Sequence, residues 1–229
     1  MKLAVITCCL YPSLDRIHYL IDSCKRHDID IIPHGLGQGF YGWAEAFRHH
    51  TIPSIQHLLA ADYTHVLYVD GNDCIFTSGV EEIIEKYFEY GAPQCLMAAE
   101  TNLYPDLGLE VADRFAKTVN PWRFLNAGTY IAEIPYFYNL CSRLKDIKTD
   151  GNHQEWFVSE WPIDGMKLDT ECKIFQTMDY VPPLEVKNGR VVNTLTGSNP
   201  CVLHFLGGYS DPKNGRDDRM KPWIERLYE

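Results

Sequence analysis

The chain has 229 residues, 45% of them hydrophobic and 23% charged, and a net charge of −10. That length provides a sizeable core and bounds the chain at one large domain or two small ones; the charge excludes general nucleic-acid binding, which depends on Lys and Arg neutralising phosphates. No apolar run approaches the ~20 residues a membrane-spanning helix needs. The stretch from Leu3 to Leu10 faintly resembles a signal peptide, but no small-residue cleavage site follows and Tyr11-Pro12 opens a turn. It reads as a first strand, Lys2 to Thr7, of a soluble, cytoplasmic chain. The eight cysteines show no zinc-type CxxC pairs. They are expected to be buried free thiols in a reducing compartment, with a disulfide left open.

Ser13 can cap a helix in which Ile17, Leu20, Ile21 and Cys24 share a face. Ile29 to Pro33 is a second strand, and strand–helix alternation predicts a parallel sheet. Gly35 to Trp43 is a Gly-rich aromatic loop, either a phosphate cradle or a plain flexible loop. Ser54 to Ala61 reads as a helix leading into His65-Val66-Leu67-Tyr68-Val69, a short strand buried on both faces. Ser78 to Glu81 has capping-box spacing ahead of a helix that buries Val80, Ile83, Ile84, Tyr87 and Phe88. Gln94 to Ala99 is a strand ending at Glu100, and Leu107 to Lys117 is expected to be helical. Phe124 to Ile131 is strand-like, interrupted by Asn126-Ala127-Gly128, where the glycine suggests close backbone approach. Ile134 to Ile147 and His153 to Trp161 read as helices. Asn188-Gly189 is a hairpin turn, and Cys201-Val202-Leu203 is a buried strand ending in His204. There is no repeat, low-complexity tract or linker, so residues 1–229 are expected to form a single domain.

The central strand ends in two carboxylates, Asp70 and Asp73. Ligands in open α/β sheets sit beyond the carboxyl ends of the strands, and hard divalent cations take carboxylate oxygen. The bland reading is an Asp-rich turn in which Gly71-Asn72 supplies unusual backbone angles. His204 is a third candidate ligand at a strand end, against the bland reading of a structural histidine. Lys213, Arg216, Arg219 and Lys221 follow it in an otherwise acidic protein. Two carboxylates, an imidazole and nearby cations suit a metal-bound diphosphate; the other reading of the cations is a solvated C-terminal tail. His153-Gln154-Glu155 lacks the spacing of a zinc-protease motif, and His49-His50 reads as surface loop. The chain has neither GxSxG nor a GxGxxG after strand one, which excludes those hydrolase and nicotinamide signatures.

Tyr68-Val69-Asp70-Gly71-Asn72-Asp73-Cys74-Ile75-Phe76 resembles the metal-binding DxxD strand of the glycosyltransferase domain of procollagen lysyl hydroxylases. Four further segments resemble that family in the same order. They are Ala98-Ala99-Glu100 with Tyr104-Pro105-Asp106, Arg123 to Gly128, Leu168-Asp169 with Lys173 to Gln176, and Pro200 to His204. His204-Phe205-Leu206-Gly207 and Lys221-Pro222-Trp223 also resemble the HFxGxxKPW ending of glycogenin-like retaining glycosyltransferases, with 13 residues between the halves instead of two. Where the lysyl hydroxylase family has DDQ, this chain has Asn152-His153-Gln154, with Asp150 a displaced carboxylate. The hydroxylase domain has no counterpart here.

The resemblance implies an α/β fold of GT-A type, a mixed, mainly parallel sheet flanked by helices. It implies a metal-dependent hexosyltransferase using a UDP-sugar and Mn²⁺ or Mg²⁺, with an unidentified glycan or protein acceptor. Asp70, Asp73 and His204 would hold the metal. Thr7, Trp43 or Tyr41, Asp70, Gly207, Lys221 and its competitor Lys213 would serve the nucleotide and diphosphate. Glu100, Asn126, Asp150 and Gln154 would line the sugar and acceptor side, with Asp169 either beside them or a strand-end cap. The alternative is a non-catalytic nucleotide- or carbohydrate-binding domain that keeps the fold.

Overall fold

The computed structural model describes residues 1–40, 42–144, 152–178, 183–206 and 216–228. Its centre is a six-stranded sheet built from β1 (Leu3–Cys8), β2 (Ile31–His34), β3 (His65–Val69), β5 (Cys95–Glu100), β6 (Phe124–Glu133) and β7 (Met166–Asp169), in the order β2-β1-β3-β6-β5-β7. Every strand except β6 points the same way. β3 lies inside the sheet and is apolar along Val66–Val69, because its two faces supply two different cores. Val66 and Tyr68 pack under α3 (Ile52–Ala60), α6 (Ile134–Leu144) and α7 (Gln154–Ser159). Leu67 and Val69 pack toward α1 (His18–Arg26) and α4 (Val80–Glu89). Strands covered on both faces read as continuous hydrophobic runs, which is why this one was legible.

A second, three-stranded sheet sits at the end of the chain's central strand, in the order β4 (Cys74–Phe76), β11 (Val202–His204), β8 (Phe175–Thr177). β11 runs antiparallel to β4, with His204 opposite Cys74, and parallel to β8. The backbone N–H of Phe205 extends this ladder to the carbonyl of Asp73 at 2.7 Å. α8 (Arg216–Tyr228) closes the far side of this sheet, its Trp223, Ile224 and Leu227 packing around Ile75, Leu203 and Phe205. Residues 216–228 are therefore a packed helix rather than a solvated tail, although Lys221 on it is exposed. A separate hairpin, β9 (Leu184–Lys187) and β10 (Arg190–Asn193), turns at Asn188-Gly189, both with positive φ (52° and 71°) as a tight primed turn demands.

Helix forms earlier than Ser54. α2 (Trp43–Ala46), a π turn over Phe47–Thr51 and α3 run on as one rod. Pro53 sits in the first turn of α3, where a missing N–H is tolerated, so it did not stop the helix, and His49-His50 lie in the π turn. Conversely, the helix expected from Leu107 to Lys117 is the single turn α5 (Leu109–Ala112): Gly108 enters it at φ 89°, and Leu109 is 84% exposed. β6 is continuous through Asn126-Ala127-Gly128, but its pairing with β5 jumps between Met97 and Ala98 and passes over Ala127–Thr129. That bulge carries Gly128 toward β3. No helix among the described residues is long and apolar enough to cross a membrane.

Candidate active site

Three distant segments meet at the carboxyl end of β3. The N–H of Asp70 donates to the carbonyl of Gly128 at 2.9 Å, and the Phe205–Asp73 backbone bond holds β11 against the Asp73 loop. His204 Nε2 then lies 3.6 Å from Asp70 Oδ2 and 3.6 Å from Asp73 Oδ1. Gly128 makes this convergence possible. A Cβ there would stand 2.6 Å from Asp70 Oδ2 and 3.0 Å from His204 Nε2, and closer still to His204 Cε1. Gly71 is required for the same kind of reason rather than for an unusual φ: a Cβ on it would meet Thr7 Oγ1 at 2.9 Å and the carbonyl of Cys8 at 3.0 Å.

Two carboxylate oxygens and an imidazole nitrogen are the donors a hard or borderline divalent cation takes. Ligand atoms bound ~2.1 Å from one ion lie about 3.0–3.6 Å from one another, and the two imidazole–carboxylate distances stand at the upper end of that range. The Asp73 oxygen facing the imidazole is also buried without a hydrogen-bond partner among the described residues, a cost that a bound cation removes. Burial pushes the Asp70 carboxyl up to about 7, Asp73 adding repulsion while His204 and Tyr68 oppose it. For His204, burial acts downward, but the facing Asp73 carboxylate, with Asp70 and Glu100 beyond, carries the net shift upward. Cys74 Sγ lies within 4.8 Å of the Asp73 and His204 ligand atoms. Burial and both carboxylates push its thiol well above the ordinary range, so without a cation it is neutral.

A cavity of about 740 Å³ opens from Asp70 and Asp73 along the loops after β1 and β2. Its walls include Tyr11, Phe40, Trp43, Phe47 and His153. Phe40 and Trp43 form an edge-to-face pair at 5.0 Å, and both are substantially exposed. Thr7 is fully buried beneath Gly71; it backs the floor of the site, while its neighbour Cys8 lines the cavity.

Glu100, Asn126 and Gln154 are joined in one buried network beside Gly128. Gln154 Nε2 donates to Glu100 Oε1 and to the Tyr104 carbonyl, each at 2.7 Å. Its Oε1 accepts from the Ala127 N–H at 2.9 Å, and Asn126 Oδ1 accepts from the Gly128 N–H at 3.0 Å. Asp169 belongs elsewhere. Its carboxylate accepts the N–H groups of Lys173, Ile174 and Phe175 at 2.9, 2.8 and 2.7 Å, and the Tyr90 hydroxyl. That is the strand-end cap, not a sugar-side group. Lys221 stands exposed on α8 with its ammonium 3.6 Å from Glu225, whereas Arg219 donates to the Leu206 carbonyl, two residues beyond His204. Tyr41, Asp150, Gly207 and Lys213 lie outside the described residues.

Sequence reasoning missed Tyr68, whose hydroxyl donates to Asp70 Oδ1 at 2.9 Å, and His153, which stacks on Phe47 with ring centroids 4.5 Å apart. For Tyr68 a signal existed: residues two apart on a strand share a face, so Tyr68 and Asp70 were candidates to touch.

A family model described as the PLOD GT domain matches residues 15–211. Procollagen-lysine,2-oxoglutarate 5-dioxygenase 2 of Mus musculus is 26% identical over 240 residues, covering 91% of this chain and 31% of that protein. The multifunctional procollagen lysine hydroxylase and glycosyltransferase of Caenorhabditis elegans is 26% identical over 237 residues, covering 90% of this chain and 30% of that protein. The chain thus spans about a third or less of the length of these relatives. A glycosyltransferase described as involved in glycosylation of the major capsid of PBCV-1 superposes with a TM-score of 0.59 at 9% identity, covering 97% of this chain and all of that one. The shared architecture is the GT-A fold.

Proposed function

Because the chain belongs to the PLOD GT domain family, a family of glycosyltransferase domains, we propose that it moves a hexose from a UDP-sugar to an acceptor hydroxyl with Mn²⁺ or Mg²⁺ bound. The observation that carries this reading is the convergence of Asp70, Asp73 and His204 at one end of a ligand-sized cavity. Asp70 Oδ2, Asp73 Oδ1 and His204 Nε2 are the donors for the cation. When bound, it offsets the charge that develops on the departing diphosphate.

The chain's own residues supply the rest. Tyr11, Phe40 and Trp43 offer flat apolar surface to a nucleobase, and Thr7 supports the floor beneath Gly71. Glu100 is the carboxylate on the sugar and acceptor side; Gln154 and Asn126 fix it and the Ala127-Gly128 backbone against the metal end. Lys213 and Gly207 for the diphosphate and Asp150 for the sugar are proposed from the resemblance alone, and Lys221, exposed on α8 beside Glu225, is the competitor to Lys213. A binding-only domain is the second reading, favoured by Asn152-His153 standing where the family carries two aspartates ahead of its Gln.

The test is a thermal-shift titration with UDP and Mn²⁺, separately and together, followed by an assay of UDP release from UDP-sugars. A shift that needs both ligands, plus UDP release, supports the transferase. A shift without release selects the binding domain. Asp70→Ala and Asp73→Ala are each expected to abolish the joint shift and the turnover while leaving the fold intact; unchanged turnover in either sinks the metal assignment.

A further inference from the structure

We infer that Tyr68 is a positioning residue for the cation: its hydroxyl occupies Oδ1 of Asp70, so that Asp70 offers Oδ2 alone. The inference rests on the metal reading above and deepens it. Tyr68 and Asp70 stand two residues apart and face the same way off β3, and the phenol donates to Oδ1 at 2.9 Å. The other oxygen, Oδ2, is the one that faces His204 Nε2 and crowds Gly128. The two oxygens of one carboxylate are thus given different partners.

The phenol is in no position to swing away. Tyr68 is opposite Tyr130 in the β3–β6 register, and the two rings stack at 5.0 Å and 13°. Tyr130 in turn packs on Phe137 at 4.4 Å, and both tyrosines are buried in the core beneath the cavity. A hydroxyl held this way fixes the carboxylate's rotation as well as its protonation partner, the outer-sphere role that orients ligands around metals. It also has a chemical consequence. Ca²⁺ takes both oxygens of a carboxylate readily, whereas smaller octahedral cations do well with one. A tyrosine that reserves one oxygen tilts the site toward Mn²⁺ or Mg²⁺ and away from Ca²⁺.

The experiment measures Mn²⁺ binding to the unliganded protein by the paramagnetic resonance signal of free Mn²⁺, with Ca²⁺ as competitor. Tyr68→Phe keeps the stacked ring and removes the donor. It is expected to weaken Mn²⁺ about ten- to a hundredfold and to narrow the Mn²⁺-over-Ca²⁺ preference. Tyr130→Phe, which deletes the neighbouring hydroxyl, is expected to leave that preference unchanged. The preference is a ratio within the folded fraction, so it is readable even if a variant is less stable. Equal losses for both cations, or no change in either, overturn the inference and leave the metal assignment standing. A parent protein that takes up no Mn²⁺ overturns both.

Discussion

Replacing Gly128 with alanine puts a methyl group where the site has room for hydrogen alone. The new carbon would stand 2.6 Å from Asp70 Oδ2, about 0.7 Å inside an ordinary carbon–oxygen contact, and nearer still to the His204 ring. Neither partner has a free direction of retreat: His204 is 2% exposed on the middle strand of its sheet, and Asp70 is tied by its N–H to the Gly128 carbonyl. Overpacking of this size costs about 1–3 kcal/mol, which in a chain of this length lowers the melting temperature by roughly 2–12 °C. The larger effect is expected at the site. Displacing two of three donors by more than half an ångström should reduce turnover about a hundredfold and weaken Mn²⁺ at least as much as loss of an orienting hydrogen bond does. Calorimetric Mn²⁺ titration of Gly128→Ala, with melting followed by circular dichroism, checks both. A variant that melts lower but binds Mn²⁺ like the parent would refute the idea that this gap exists to let the three ligands meet.

Asp169→Ala strands three backbone donors and the Tyr90 hydroxyl, and should lower stability by at least about 3 kcal/mol in urea unfolding, while the folded fraction binds UDP and Mn²⁺ normally. Selective loss of ligand binding at full stability would return Asp169 to the site. Mn²⁺ affinity should rise with pH through the range in which Asp70, held up to about 7, and His204, shifted upward by the facing carboxylates, lose their protons, because the cation must displace them; isothermal titration between pH 5.5 and 8 reads this, and a flat profile contradicts it. Acid should destabilise the fold through His153, whose burial lowers it to about 4 against about 6.5 when unfolded. Between those values the unfolded chain binds the extra proton, so stability present at pH 7 is lost on the way to pH 4, by about 3 kcal/mol. Denaturation curves of the parent and His153→Phe that stay parallel from pH 7 to 4.5 would rule this cause out.

What was legible in the sequence were positions where one pattern has one physical meaning. An apolar run ending in a polar residue marks a buried strand that delivers a side chain to the sheet edge, and Asp70, Glu100 and His204 all followed from that. Gly128 was read as a close backbone approach, and it is one. Asp169 has the same local signature as Asp70, a carboxylate at a strand end, but its partners are the N–H groups of its own loop. Nothing in the pattern distinguishes a carboxylate that faces a ligand from one that ties a turn. The helix from Trp43 was hidden because Trp43 closes the Gly-rich run, His49-His50 read as surface loop and Pro53 stands just before the expected start at Ser54; the π turn holds the two histidines and the first turn of α3 holds Pro53. Pairings between distant segments were hidden too. The jump in register that lifts Gly128 toward Asp70 depends on β5 and β6 lying side by side, which no local window contains.

The pairing of His204 with Cys74 has a consequence in time as well as in space. β4 waits for a partner strand that comes well over a hundred residues later in the chain, and long-range closures of this kind are slow to form. A chain emerging in order can pair β1, β2 and β3 early, yet of the three proposed metal ligands it has only the two aspartates in place until β11 inserts between β4 and β8. The strand that completes the small sheet is also the one that brings the imidazole. On the proposed metal reading, the third ligand therefore reaches its place only through that late pairing.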